Sequence, residues 1–396
     1  MSREKLLAYY QWAVFLSTVG SSTQAFSTSM GIASQGSLSV PVALAIAALL
    51  AYWPGAIFPL FGGILSDRFE RWTIVLGAQA FLMCQSLLLT RFHTETIALY
   101  IIGTTGGIVA ALSGPARTGL LKDIAGEKYA QVNAKNSVYS QAGEIIGGTA
   151  GSLLFFQAHL AGITYLADAA SYLPMIVVLV FLLPKTTISN APTKAKRKDA
   201  RATLREAYTF LSQDAILKRV LILRLILALG ANGGYVAQPV LASEVFGGLQ
   251  AYTWFMVANA LGSLIGSSLA ARLLGTKEPS IRGVLTGAVA SLLLIAATGL
   301  SHSLPLTLAI MLGECIAYPY SGKHSTPLLV VQENRLRERI TGLMQTTTMV
   351  CTIMCNVLNG LLMTLIGVRS TWMVLGAAGI LAMGFYEIQG RMKRSD

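Results

Sequence analysis

Gly63-Ile64-Leu65-Ser66-Asp67-Arg68-Phe69-Glu70-Arg71-Trp72 is a short knot of charge between two apolar runs, each long enough to cross a bilayer. A hairpin of buried helices has no reason to place Asp67, Arg68, Glu70 and Arg71 in its shortest loop. At a membrane surface the same charges stay hydrated and pair with helix ends. The stretch therefore reads as the turn between two membrane helices.

The rest of the chain agrees. Of 396 residues, 54% are hydrophobic and 12% charged, against roughly a quarter charged in soluble domains. Mean hydropathy is +0.60. Apolar segments of membrane length recur near 8–33, 40–64, 72–90, 95–114, 131–156, 161–183, 217–240, 249–273, 281–300, 304–322, 338–364 and 368–389. The polar stretch 185–216, with the basic run Lys194-Ala195-Lys196-Arg197-Lys198 and an amphipathic piece at Leu204–Leu211, reads as a cytoplasmic linker. It divides an N-terminal six-helix half, 1–184, from a C-terminal one, 217–396. Ser268-Leu269-Ala270-Ala271-Arg272 resembles a decayed second copy of the opening stretch, about half the chain further on. The expected fold is an all-α polytopic membrane protein of twelve helices in two related halves.

The net charge of +12 suggests nucleic acid until its distribution is read. Apart from Arg91, Arg224 and Arg369, every Lys and Arg falls at a terminus or in an even-numbered loop. That is the positive-inside pattern, so both termini are expected in the cytoplasm, with the basic loops touching anionic lipid. No binding fold or aromatic interleaving accompanies the basic run, so no nucleic-acid partner is expected. Cys84, Cys315, Cys351 and Cys355 lie in apolar runs and imply no disulfide framework or metal. No Gly-rich loop followed by lysine, no zinc motif and no nucleophile–base pair appears. The chain is expected to be no enzyme and to need no cofactor or ATP.

The opening stretch resembles the loop between helices 2 and 3 of the major facilitator superfamily, written G-x-L-x-D-R-x-G-R-[KR]. Gly63, Leu65, Asp67, Arg68 and Arg71 hold their places, Glu70 stands for the second glycine and Trp72 for the final base. Shorter patterns resemble the third drug:proton antiporter branch, which includes macrolide efflux pumps and the enterobactin exporter. They are Pro115-Ala116-Arg117, Asn133, Asp168 to Tyr172, Gln238-Pro239, and Arg337-Glu338-Arg339 with Gly342. The resemblance implies a monomeric exporter in a bacterial inner membrane, driven by protons and working by alternating access. It also implies a gate built on Gly63, Asp67, Arg68 and Arg71, with Asp67 near a C-half helix and Arg71 pairing an acid such as Glu127. One departure stands out. Many members carry Gly-Asp in helix 1, whereas here Gly20 is followed by Ser21.

Ionisable residues at membrane depth are costly and mark function by default. Glu144 lies ~20 Å from the cytoplasmic start of helix 5, and Asp168 ~10 Å from the outer start of helix 6. The two are at similar height and are expected as a carboxyl pair sharing a proton. Glu314 lies ~15 Å deep in helix 10. These three are the expected proton-coupling acids. Helices 1, 4, 7 and 10 line the central cavity in the superfamily, so the resemblance places substrate contacts at Gln24, Arg224, Asn232, Tyr235, Gln238 and Tyr318. Helix 1 is dense in hydroxyls from Ser17 to Thr28, which is expected to turn a face to water. Gly230, Asn232, Gly233, Gly234 and Pro239 are expected to interrupt helix 7 where it lines a cavity. The hydroxyls and Arg224 favour a siderophore-like polar cargo. A multidrug or antibiotic pump, a lysophospholipid flippase and a non-transporting receptor are the rival readings.

Overall fold

The computed structural model describes residues 3–35, 38–157, 161–183, 209–211, 213–274, 278–328 and 334–392. Most of the expected linker, with its basic run, lies outside them. The described chain is helical throughout and divides into two compact units, Met1–Lys194 and Ala195–Asp396.

The first unit holds α1 (Arg3–Gln35), α2 (Val40–Arg68), α3 (Arg71–Phe92), α4 (Thr96–Ala125), α5 (Tyr129–Gln157), α6 (Ala161–Ser171) and α7 (Leu173–Val177). Pro174 has no N–H to offer the preceding turn, and α6 gives way to α7 at Tyr172. The second unit holds α8 (Ala215–Ala231), α9 (Gly234–Val245), α10 (Ala251–Leu274), α11 (Ile281–Leu300), α12 (Leu304–Leu328), α13 (Asn334–Ile366) and α14 (Val368–Met392). Among the described residues, nine helices are long and apolar enough to cross a membrane, with α8 and α9 counted as one. Helices α1, α5 and α12 are as long, but serines, threonines, glycines and charges dilute them.

One packing scheme serves both units. In the first, α1 packs on α5 and α6, α4 on α2 and α3, and α3 on α6. In the second, α8 packs on α13 and α14, α12 on α10 and α11, and α11 on α14. Taking the broken pair α8–α9 as the counterpart of α1, and α10 through α14 as those of α2 through α6, maps one set of pairs onto the other. Arg272 in the last turn of α10 takes the place that Arg68 has in α2.

Glycines set the closest of these approaches. Helices α1 and α5 share a seam on which Gly143, Gly147 and Gly151 face Phe15–Thr18, Val19–Ser22 and Thr23–Phe26 in turn. A Cβ at Gly151 would stand 2.9 Å from the Thr23 carbonyl oxygen, and one at Gly147 would be driven into that of Val19. Small residues at spacings of four let two backbones meet this closely in lipid. Some hydroxyls of α1 are taken up by helix backbone here. Thr18, Thr23 and Ser29 donate to carbonyls one turn back, and Thr23 also bonds the Gly147 carbonyl at 3.0 Å. Thr23, Ser27 and Ser29 are buried. The expected water-facing stripe is corrected in part: Thr18 and Thr23 satisfy themselves on helix backbone, as hydroxyls can in lipid, whereas the Ser27 and Thr28 hydroxyls are buried without a hydrogen-bond partner among the described residues.

The opening stretch is more helical than expected. Helix α2 runs on through Arg68, and only Phe69 and Glu70 connect it to α3. Glu70 sits at φ −64°, ψ 129°, an ordinary extended conformation, so the position does not require glycine. Its carboxylate accepts the Trp72 indole N–H at 2.5 Å, so the two departures from the family pattern contact each other.

Candidate proton and substrate residues

Arg71 is the first residue of α3 and reaches the last turn of α4. Its Nη1 donates to both carboxylate oxygens of Asp123 at 2.9 Å and approaches the Gly119 carbonyl at 3.4 Å. The expected partner, Glu127, is corrected to Asp123. Asp123 is still on α4, whereas Glu127 lies in the 3-10 turn Gly126–Lys128 that leads the chain away. Arg3 closes the same corner by donating to the carbonyls of Asp123 and Ile124. Next to it, the Lys128 ammonium lies 3.0 Å from Glu4 and holds that carboxyl below its ordinary pKa. Gly63 lies inside α2, with open space where a Cβ would stand. Arg68 is exposed. The side chain of Asp67, and those of Arg337, Glu338 and Arg339, lie outside what is described.

Asp168 is fully buried on α6. Its Oδ2 accepts the Ser86 hydroxyl of α3 at 2.5 Å, and its Oδ1 has no hydrogen-bond partner among the described residues. Gly20 of α1 lies directly against it: a Cβ there would collide with the Ser171 side chain and stand 2.9 Å from Asp168 Oδ1. Ser21, at the position where relatives were expected to carry an acid, bonds the Tyr172 hydroxyl at 3.0 Å. Glu144 is exposed, beside the seam glycine Gly143, and has no hydrogen bond or ion pair among the described residues. The expected Glu144–Asp168 pair does not form. Thr18, Val19 and Ser22 of α1 face α5, while Gly20 and Ser21 face α6, so α1 stands between the two acids. Gln24 is half-buried and likewise shows no partner among the described residues.

Glu314 is the centre of a polar group in the second unit. Its Oε1 accepts the Ser291 hydroxyl of α11 at 2.7 Å, and its Oε2 faces the Cys315 thiol at 3.4 Å. That thiol also lies 3.5 Å from Asn259 Oδ1 on α10, and Asn259 donates to Gln238 Oε1 on α9 at 2.8 Å. Tyr318, one turn beyond Glu314, is within electrostatic range of both Glu314 and the half-buried Arg224 of α8. Four expected residues, Glu314, Tyr318, Arg224 and Gln238, thus share one region.

The break in the seventh apolar segment falls at Asn232-Gly233, between α8 and α9. Helix α13 staples it. Asn232 donates to the Thr352 hydroxyl at 2.9 Å, Asn356 donates to the Asn232 carbonyl at 3.0 Å, and Cys355 donates to the Leu229 carbonyl at 2.9 Å. Gly233 is pressed against the Asn359 side chain. Tyr235 follows in the first turn of α9. These backbone groups, freed by the break, are re-satisfied by side chains, as a membrane demands. Sequence reasoning missed Ser86, Asn259, Ser291, Thr352, Asn356 and Asn359. Their signal was a polar residue in an apolar run, which names a group without naming its partner.

The profile of the Major Facilitator Superfamily matches residues 7–322, and the chain belongs to that superfamily. Solved transporters share its fold. A mutant of the nucleoside transporter NupG aligns with a TM-score of 0.73 at 14% identity, covering 97% of this chain and 99% of that one. A POT family transporter in complex with 5-aminolevulinic acid aligns at 0.75 and 12% identity, covering 96% and 95%. A bacterial homologue of the human lysosomal transporter Spinster, inward-facing and unoccupied, aligns at 0.67 and 15% identity, covering 96% and 94%. A search of curated proteins finds no match. The chain is a multi-pass membrane transporter of the major facilitator fold.

Proposed function

We propose that this transporter is a proton-coupled exporter of a small organic molecule, working by alternating access between two six-helix halves, 1–184 and 217–396, joined by the 185–216 linker. One observation carries the reading. Asp168 and Glu314 are carboxyls within a membrane-length segment or on a helix of membrane length, and their hydrogen-bond partners are hydroxyls and a thiol, with no basic side chain bonded to either among the described residues. A carboxyl so placed avoids an unpaired charge by carrying a proton, and a proton that comes and goes is a coupling ion. Glu314 is the first choice, because Gln238, Tyr318 and Arg224 lie around it. Glu144 is the open acid of the first unit and the second choice. Asp168, locked behind α1, is the third.

The charge pattern supports cytoplasmic termini in a bacterial inner membrane, and the basic loops support contact with anionic lipid. The ion pair of Arg71 with Asp123 supports a gating role for the opening stretch, with Gly63, Asp67 and Arg68 as its other members. A monomer suffices for the mechanism. Arg224 beside Tyr318 and the Asn232 break favour a polar, siderophore-like cargo. The named neighbours include a nucleoside transporter and a protein holding 5-aminolevulinic acid, both suited to polar cargo. Thr18 and Thr23 of α1 are spent on helix backbone, which weakens the support of the helix 1 hydroxyls for that choice and leaves the multidrug reading as the rival.

Proteoliposomes with an imposed pH gradient test the proposal. Substrate efflux should require the gradient, and Glu314→Gln should retain downhill exchange while losing uphill export. Uphill export by Glu314→Gln at the wild-type rate would remove Glu314 from the coupling role. Gradient-independent transport in wild type would sink the antiport reading.

A further inference from the structure

The Cys315 thiol has one proton and two acceptors within reach, and the Ser263 hydroxyl of α10 is a further side-chain partner of its sulfur. Glu314 Oε2 lies 3.4 Å from its sulfur and Asn259 Oδ1 lies 3.5 Å from it, on the far side of the link to Gln238. A thiol is a weak donor and a weak acceptor and can serve only one of the two acceptors at a time. Packing holds it in this position. Gly262 of α10 leaves room for it: a Cβ there would stand 2.6 Å from the Cys315 Cβ. The sulfur therefore stays between the two acceptors and chooses by rotating its S–H.

We infer that Cys315 is a positioning residue that reports the protonation state of Glu314 to Gln238 on the broken seventh segment. This rests on the reading of Glu314 as the coupling acid. With Glu314 ionised, the carboxylate is the stronger acceptor, because bonds to a charged partner are about twice as strong as neutral ones. The S–H then points at Oε2, and Asn259 Oδ1 loses its donor. With Glu314 protonated, its own O–H donates toward the sulfur and the S–H turns to Asn259 Oδ1. Asn259 Nδ2 already donates to Gln238 Oε1, so the chain runs unbroken from Glu314 to Gln238. Hydrogen bonds in such a chain polarise and strengthen one another. No covalent bond is made or broken at sulfur: the thiol keeps its proton and only its direction changes.

Gln238 is well placed to pass the signal on. It lies one turn past the break at Asn232-Gly233, on the helix that starts at Gly234. Protonation of Glu314 therefore strengthens the hydrogen bond that Gln238 accepts from Asn259 just past the break, and ionisation weakens it. The charged and titratable groups facing Glu314 are Cys315 and Tyr318 on its own helix and Arg224 on α8. Helix α10 contributes Asn259, and α11 contributes Ser291. Their charged residues, Arg272 and Arg282, are far from it at the last turn of α10 and the first turn of α11.

Infrared spectroscopy of the full-length protein in lipid nanodiscs tests the switch without a known substrate. The S–H stretch absorbs apart from other protein bands, and subtracting the Cys315→Ala spectrum isolates the Cys315 contribution. On going from acid to alkaline pH the band should shift to lower frequency, and in Glu314→Gln it should stay at its acid position. A Cys315 band that is unmoved by pH, or that moves equally in Glu314→Gln, would overturn the proposal. In proteoliposomes, Cys315→Ala should flatten the pH dependence of export, and Cys315→Ser, which keeps a rotatable donor, should restore it. A Cys315→Ala pH profile identical to wild type would also count against it. If the band shifts as expected but no proton-driven export is found, the switch stands and the exporter reading falls.

Discussion

Arg71 Nη1 stands 2.9 Å from each carboxylate oxygen of Asp123, tying the start of α3 to the last turn of α4. Both side chains are partly open to solvent, at 40% and 29% exposure, so the pair contributes only about 0–1 kcal/mol to stability. In the proposed gating role, a difference of that size still shifts the balance between states. Asp123→Asn is expected to slow transport severalfold while thermal unfolding moves by no more than a few degrees. Glu127→Gln should leave both unchanged. Equal effects of the two substitutions would return Glu127 to the gate.

The seam between α1 and α5 makes a size prediction. Gly147→Ala forces a methyl group into the Val19 carbonyl and is expected to cost about 1–3 kcal/mol, the usual price of overpacking. Gly77→Ala on α3 meets nothing within 4 Å and should be neutral or stabilising by up to about 1 kcal/mol, since alanine is the better helix former. Thermal melts of the two variants in one detergent decide it. Similar melting points would mean that the seam can relax.

Glu144 and Asp168 do not touch, so their losses should add. Glu144→Gln and Asp168→Asn in one chain are expected to lower export by the product of the single effects, with a coupling energy below about 0.5 kcal/mol. A double variant no worse than the worse single would restore the shared-proton pair.

At the α8–α9 break, Asn356 donates to the Asn232 carbonyl from a fully buried position. Asn356→Leu leaves that carbonyl without its side-chain donor and should destabilise the second unit by about 1–3 kcal/mol. Asn356→Asp, lacking the N–H₂, should fare no better. Wild-type stability of either variant, measured by thermal unfolding, would remove the staple from the account of the break.

Helices were legible because apolar length is a local property. The segment expected at 281–300 is α11, Ile281–Leu300, and that at 72–90 is α3, Arg71–Phe92. The interruption of the seventh segment could be read from Asn232, Gly233 and Gly234 for the same reason. What escaped was always a relation between helices. Asp168 was visible as an acid, but its donor Ser86 is 82 residues away and depends on how α3 and α6 are rotated. The hydroxyls of α1 were read as water-facing because a sequence does not reveal that a carbonyl of their own helix, or Gly147 of another, will take the hydrogen bond. Glu144 and Asp168 were matched in depth, and depth says nothing about which side of α1 each helix occupies.

The glycines of the α1–α5 seam also limit how this transporter can diversify. At Gly143, Gly147 and Gly151 the limit is on volume and begins at the first side-chain carbon, so even a serine is unwelcome. Exposed Leu16, Val138 and Ile146 meet no such barrier. A lineage descending from this chain can recolour the outside of the two helices and retune the acid beside Gly143. As long as that seam stays closed, the two helices have to change together, a substitution on one answered by room on the other.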